Sequence, residues 1–171
     1  MGQKPAMSIA VYVIDTSYLV ELFGCMREND IKIPNVVKER FKVTNRAGGR
    51  FFVPLPCLFE LGDHIADVRH DKKREKIASQ LLATVESCLA KNQPWTITPT
   101  GPPEDILSEL LKHFAPLASR ERIGLVDTFT MCEALRLKGD LKSYKAKVHI
   151  WTNEQALKRK EPDSEPNPLF W

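Results

Sequence analysis

The chain has 171 residues, of which 43% are hydrophobic and 27% are charged, and its 25 Lys and Arg nearly balance its 22 Asp and Glu. This length and composition are typical of one globular domain and exclude a mostly disordered chain or a fibrous repeat. No apolar run approaches the ~20 residues of a membrane-spanning helix, and the first residues lack the apolar core of a secretory signal, so we expect a cytoplasmic protein with no membrane partner.

Short apolar runs of β-type composition alternate with helical patterns, which predicts an α/β fold with a central parallel sheet. The first run, SIAVYVID at 8–15, is almost continuously apolar, as is typical of a strand covered on both faces. Further strands are expected at 51–55, 95–99 and 148–152. Helices are expected at 17–26, 35–46, 73–91 and 125–138, and in the segments that follow Pro56 and Pro103. The acidic, proline-rich segment 161–171 is expected to form an extended tail after a domain over 8–160.

The cysteines predict no disulfide framework and no zinc site. Cys25, Cys57, Cys88 and Cys132 are far apart in the sequence, and no two of them form a C-x-x-C pair. We therefore predict four free thiols that behave as small apolar side chains.

Four acidic residues stand where predicted strands end or predicted helices begin. Asp15 ends the first strand and Glu60 lies one turn into the helix after the second. Asp127 opens a later helix, and Glu154 follows the last strand. Functional sites of open parallel sheets form outside the carboxyl ends of the strands, so we expect these four carboxylates to meet at one edge.

Carboxylates that meet in this way repel one another, by about 4 kcal/mol per pair at a separation of about 4 Å and an effective dielectric of about 20. Such a cluster must bind a proton or a cation. Hard oxygen ligands suit Mg²⁺ or Mn²⁺, which are the ions that assist the hydrolysis of phosphodiesters.

Each acid also has a purely structural interpretation. Asp15 and Asp127 can cap the helices beside them, and Glu60 can be an ordinary exposed helix residue. Glu154 can be an acid in the first turn of a helix, where the helix dipole stabilises negative charge. Taken together, their shared position at strand-to-helix junctions favours a common site.

Four segments carry a family resemblance: VYVIDTSYLVELF at 11–23, FFVPLPCLFELGDHI at 51–65, GLVDTFTMCEAL at 124–135 and VHIWTNEQAL at 148–157. In their order and spacing they resemble PIN-domain proteins, of the kind found in VapC-type toxins. The resemblance implies a three-layer α/β/α fold with a central parallel sheet.

The resemblance also implies a metal-dependent endoribonuclease whose Mg²⁺ or Mn²⁺ is held by Asp15, Glu60, Asp127 and Glu154. Glu154 stands where the family usually has the aspartate of a Thr-x-Asp motif. Asp63, one turn beyond Glu60, is an auxiliary candidate. Thr16, Ser17 and Thr152 are the corresponding candidates for contact with the substrate.

The partners that the resemblance implies are RNA, single-stranded or structured, a small antitoxin protein and a second copy of the chain. The basic segments 69–76 and 136–147 are candidate tracks for the RNA backbone. The apolar end of the tail, Leu169 to Trp171, is a candidate contact for the antitoxin.

Two other interpretations stay open at this point. A catalytically degenerate PIN-like module that binds RNA or a protein would explain why Glu154 departs from the usual aspartate. A receiver-like signalling domain matches poorly, because the second predicted strand is followed by a proline and a Glu-bearing helix. Nucleotide-binding folds are disfavoured, because the sequence has neither a G-x-G-x-x-G nor a P-loop pattern.

Overall fold

The computed structural model describes residues 9–25, 32–99 and 103–170. Within these residues the chain forms four strands, namely β1 (Ala10–Ile14), β2 (Arg50–Pro54), β3 (Thr96–Thr98) and β4 (Lys147–Trp151). It also forms seven α-helices, namely α1 (Thr16–Phe23), α2 (Lys32–Arg46), α3 (Leu55–Ala66), α4 (Asp71–Lys91), α5 (Pro103–Glu121), α6 (Leu125–Asp140) and α7 (Gln155–Lys158).

The four strands form one sheet in the order β3-β2-β1-β4, and every pairing is parallel. Helices cover both faces, so the predicted three-layer α/β/α fold with a central parallel sheet is confirmed. The alternation of side chains along β1 explains its continuous apolar sequence. Val11 and Val13 pack in the core that includes α6, whereas Tyr12 and Ile14 face the core formed with α1 and α3.

The parallel arrangement brings several chain reversals to one edge of the sheet. The carboxyl ends of β1, β2 and β4 lead within a few residues into α1, α3 and α7. We call this side the carboxyl edge and the side on which the strands begin the amino edge. Everything that the sequence analysis placed at the end of a strand therefore lies on the carboxyl edge.

Most element boundaries lie within about two residues of those predicted. The helix expected at 17–26 is shorter and ends at Phe23, because Gly24 takes a left-handed conformation with φ of 70° and closes it. Ser8, Met26 and Trp171, which the sequence analysis placed in the first strand, the first helix and the tail, lie outside the described residues.

The tail, residues 161–170, has no helix or strand and returns along β4. The Asp163 carboxylate accepts a hydrogen bond from the Val148 N–H at 2.8 Å, and the Glu161 carboxylate accepts one from the Ile150 N–H at 3.1 Å. These bonds occupy donors on the outer side of an edge strand. The tail thus packs along the domain.

The apolar end of the tail also packs on the domain. Leu169 and Phe170, which the sequence analysis assigned to contact with an antitoxin, are partly buried against the core. Phe170 stands edge-on to the ring of Tyr18, with 5.8 Å between the ring centroids.

The cysteines are free thiols, as predicted, and Cys57 and Cys88 are buried. In the part of the chain that the structure describes, no helix is both long enough and apolar enough to cross a membrane.

Candidate functional site

Asp15 lies between β1 and α1 and is only 2% exposed. One of its oxygens, Oδ2, accepts three hydrogen bonds: from the Ser17 N–H at 3.2 Å, the Ser17 hydroxyl at 2.7 Å and the Thr152 hydroxyl at 3.0 Å. Asp15 is therefore also the N-cap of α1, so its structural interpretation is correct as well. The other oxygen, Oδ1, accepts no hydrogen bond from the residues described, so it is the atom that remains for a ligand.

Hydroxyl groups join the turn after β1 to the turn after β4. Ser17 Oγ lies 3.2 Å from Thr152 Oγ1 and accepts a hydrogen bond from the Asn153 N–H at 3.0 Å. Thr152 Oγ1 also accepts a bond from the Glu154 N–H at 2.9 Å. Ser17 and Thr152 were predicted as substrate contacts, and the structure gives them this additional role of fixing Asp15 and the turn that carries Glu154.

Glu60 is fixed in a similar way. Its Oε2 accepts a hydrogen bond of 2.7 Å from the hydroxyl of Thr16, the residue next to Asp15. This bond ties α3 to the N-terminus of α1 and leaves Oε1 without a protein donor in the described ranges. Asp63, one turn further along α3, is exposed and is not among the acids that act on Asp127.

Asp127 lies in the first turn of α6 and is partly buried. Its Oδ2 accepts a hydrogen bond from the Gly124 N–H at 3.3 Å. Burial raises the pKa of Asp127 to about 6, and the negative charges of Asp15, Glu154 and Glu60 add to the rise. The Gly124 bond lowers the pKa but does not outweigh them.

The raised pKa of Asp127 therefore has a simple meaning. The four acids predicted from distant parts of the sequence lie near enough for three of them to disfavour the charge on the fourth. Three of them, Asp15, Glu60 and Asp127, are each held through one oxygen, and the second oxygen accepts no hydrogen bond from the described chain. Glu154 is exposed, and its side chain makes no hydrogen bond there.

Cys57 and Thr130 are fully buried near Asp15, and sequence reasoning missed both. Cys57 Sγ lies 3.4 Å from Thr130 Oγ1, and burial followed by the charge of Asp15 raises the pKa of Cys57 to about 12. The thiol thus stays protonated at neutral pH and adds no charge. Each residue is three positions from an acid on the same helix, Cys57 before Glu60 and Thr130 after Asp127, and this spacing was the available signal.

The donor set fits a hard divalent cation. Among the hydrogen bonds and ion pairs of the described residues, none gives the four acids a Lys, Arg or His partner. The described side chains also contain no group of three or more His, Cys, Asp and Glu drawn together tightly enough to hold an ion directly. Mg²⁺ keeps several of its waters and is commonly bound through one or two carboxylates, so water-mediated binding suits this spacing.

No protein-family model matches the chain, and no curated protein matches it either. The functional interpretation of the acids therefore depends on their geometry and on the sequence motifs that contain them.

Proposed function

We propose that this protein is a metal-dependent endoribonuclease of the PIN-domain kind, which hydrolyses phosphodiester bonds of RNA with Mg²⁺ or Mn²⁺ and acts as the toxin of a toxin–antitoxin pair. The observation that carries the proposal is the close approach of four acids that have no cationic partner in the described structure: burial is the largest cause of the raised pKa of Asp127, and the charges of Asp15, Glu154 and Glu60 raise it further. A site of this kind gains most from a divalent cation, and a cation is what a polyanionic substrate needs in order to approach four carboxylates.

We assign a role to each acid from its carboxylate oxygen that accepts no hydrogen bond in the described structure. Asp15, Glu60 and Asp127 would hold the ion largely through its water molecules, and Glu154 would orient water at the exposed side. When bound, the ion lowers the pKa of a water molecule and offsets charge on the phosphate. Thr16, Ser17 and Thr152 keep the carboxylates in place, so the site loses little freedom when the ion binds.

The test is cleavage of labelled single-stranded RNAs of varied sequence by the purified protein. We expect cleavage with Mg²⁺ or Mn²⁺, none with EDTA, and a loss of at least about 100-fold in Asp15→Asn. Asparagine is as good an N-cap as aspartate and still accepts hydrogen bonds, so this variant removes charge with little effect on folding.

Asp67→Asn is the matched control, because Asp67 is exposed beyond the C-terminal end of α3. Its cleavage rate should equal that of the wild type. Absence of metal-dependent cleavage across all RNAs would refute the proposal. For the toxin role, expression of the wild type, but not of Asp15→Asn, should arrest growth, and a neighbouring small antitoxin should relieve the arrest.

A second candidate is a catalytically degenerate PIN-like module that binds RNA or a protein. Glu154 favours it, because this side chain is exposed and makes no hydrogen bond in the described structure. Binding of RNA without any cleavage in Mn²⁺ would support this alternative.

A further inference from the structure

Three of the five cations in the basic segment 136–147 are paired with acids of the protein itself. Arg136 pairs with Glu133 at 2.9 Å and with Asp140 at 2.6 Å. Lys138 and Lys147 both pair with Asp163 of the tail, at 2.7 Å and 3.5 Å. Lys147 is also the first residue of β4, which places it on the amino edge, opposite the acids.

The segment 69–76 is also remote from the acids. It begins beyond the C-terminal end of α3, and Arg74 within it donates hydrogen bonds to the Val68 carbonyl and to Asp71. Lys73 acts electrostatically on Cys25, which follows the C-terminal end of α1. Asp15 precedes the first residue of α1 and Cys25 follows its last turn. The segment 69–76 therefore lies about the length of α1 away from Asp15.

A different set of cations lies beside the acids. Glu121 at the end of α5 pairs with Lys160 at 2.8 Å, which joins the end of α5 to the residues just after α7. Three arginines are next to this pair in the sequence, and we call them the basic rim: Arg120 and Arg122 flank Glu121, and Arg159 precedes Lys160. All three are exposed, and within the described ranges their side chains have no hydrogen bond or ion pair.

Arg122 is the member of the basic rim that is most firmly placed. Its φ of 56° lies in the left-handed region, which is uncommon for a residue with a side chain. The next residue, Ile123, is buried, and the one after it, Gly124, donates its N–H to Asp127 Oδ2 at 3.3 Å. Two residues span at most ~7 Å of chain, so the backbone of Arg122 lies within one side-chain length of the acidic site.

We propose that the basic rim binds the phosphodiester backbone of single-stranded RNA next to the bond that is cut, an inference that rests on the proposed function. A polyanion that approaches four carboxylates is repelled unless positive charge lies beside its path. The guanidinium group suits this task, because its planar donors match two phosphate oxygens and its charge is permanent. Arg120, Arg122 and Arg159 are therefore positioning residues.

The test measures binding of a labelled single-stranded RNA by fluorescence anisotropy over a range of salt concentrations, in the Asp15→Asn background so that the RNA stays intact. Arg122→Asn removes the charge, and asparagine adopts the left-handed conformation readily. Each lost phosphate contact should reduce the slope of log K against log salt by about 0.7. With equal affinities at about 1 M salt, this corresponds to about fivefold weaker binding at about 0.1 M.

Lys145→Asn is the matched control. Lys145 is also exposed and left-handed, with φ of 51°, but it follows the C-terminal end of α6. It should bind RNA as the parent does. The triple variant Arg120→Gln, Arg122→Asn and Arg159→Gln should reduce the slope by about 2. In the active background, Arg122→Asn and the triple variant should raise KM and leave kcat unchanged, whereas Lys145→Asn should change neither.

The proposal is overturned if the triple variant binds RNA with the parent's salt slope, if Lys145→Asn weakens binding equally, or if the chain binds no RNA. Metal-dependent cleavage with an unchanged KM in the variants would refute the basic rim and leave the proposed function intact. Weaker RNA binding in the variants of a chain that never cleaves RNA would support the basic rim and refute the nuclease.

Discussion

Asp127→Asn should make the folded protein more stable while it abolishes cleavage. The pKa of Asp127 rises from 3.8 to about 6 on folding, because of burial and of its acidic neighbours. Each unit of pKa difference corresponds to about 1.4 kcal/mol, so the charged carboxylate costs the folded state up to about 3 kcal/mol. Solvent access reduces this figure, and we expect about 1–3 kcal/mol.

The pH range of the effect follows from the two pKa values. Below the unfolded pKa of 3.8 both states carry the proton, and Asp127 costs nothing. As the pH rises, the unfolded chain loses its proton first, and stability falls until the pH passes the folded pKa of about 6. Asparagine carries no charge at any pH, so the advantage of Asp127→Asn should grow over this interval and then stay constant.

The assay is thermal unfolding of both proteins in EDTA between pH 4 and 8. For a chain of this size about 1–3 kcal/mol corresponds to a rise in Tm of about 3–10 °C above pH 6. Mg²⁺ should then raise the Tm of the wild type more than that of the variant, because a ligand stabilises the state that binds it. Asp67→Asn should change the Tm at no pH. An Asp127→Asn protein that is no more stable than the wild type at neutral pH in EDTA would refute the reasoning.

Two further predictions concern other acids. Glu165→Ala should lower the free energy of unfolding in urea by about 1–3 kcal/mol, because Arg40 and Lys158 lose a buried carboxylate while Lys158 keeps Glu161 and Arg40 keeps the Asn167 carbonyl. Burial raises the pKa of Glu165, but the hydrogen bonds from Lys158, Trp151 and Arg40 and the positive charge of Lys158 together outweigh burial and hold the pKa below its ordinary value. This stabilisation should therefore be fully present above about pH 4.3 and disappear as the pH falls through the lowered pKa. Equal stability of variant and wild type at pH 7 would contradict the prediction. Glu154→Gln should lower the pKa of Asp127 in a carboxyl NMR titration, and an unchanged pKa would exclude Glu154 from the cluster.

The sheet could be predicted because its determinants are local. A continuously apolar segment such as 8–15 indicates a doubly covered strand, and the helical segments between such runs imply parallel neighbours. The convergence of Asp15, Glu60 and Glu154 followed from that topology, whereas Asp127 opens α6 after another helix, α5, and its position does not follow from the strand order. Parallel strands deliver their carboxyl ends to one edge whatever their order in the sheet.

The contacts that fix these acids could not be predicted, because they join distant segments. Ser17 and Thr152 are 135 positions apart, and no local pattern relates their hydroxyls. The basic segments 69–76 and 136–147 were assigned to RNA from their local charge, which does not show where acids from distant parts of the chain lie. A count of local charge finds Lys138 and Lys147, but it does not show that Asp163 of the tail pairs with both of them.

Three buried acids, Glu133, Glu165 and Asp15, are held in two different ways. Glu133 and Glu165 are 3% and 9% exposed, and each contacts a cationic side chain, Arg136 for the first and Lys158 for the second. Asp15 is 2% exposed, yet its hydrogen bonds come from hydroxyls and a backbone N–H. A buried charge without a counterion costs several kcal/mol, and neutral donors offset only part of it. Glu165, which holds the tail, and Glu133, which lies in α6, each have a cationic partner, whereas Asp15 and Asp127 have none among the residues that the structure describes. Under the proposed function, a cation from solution would offset this cost at the carboxyl edge, and this is why a loss of charge at Asp127 should stabilise the protein and inactivate it together.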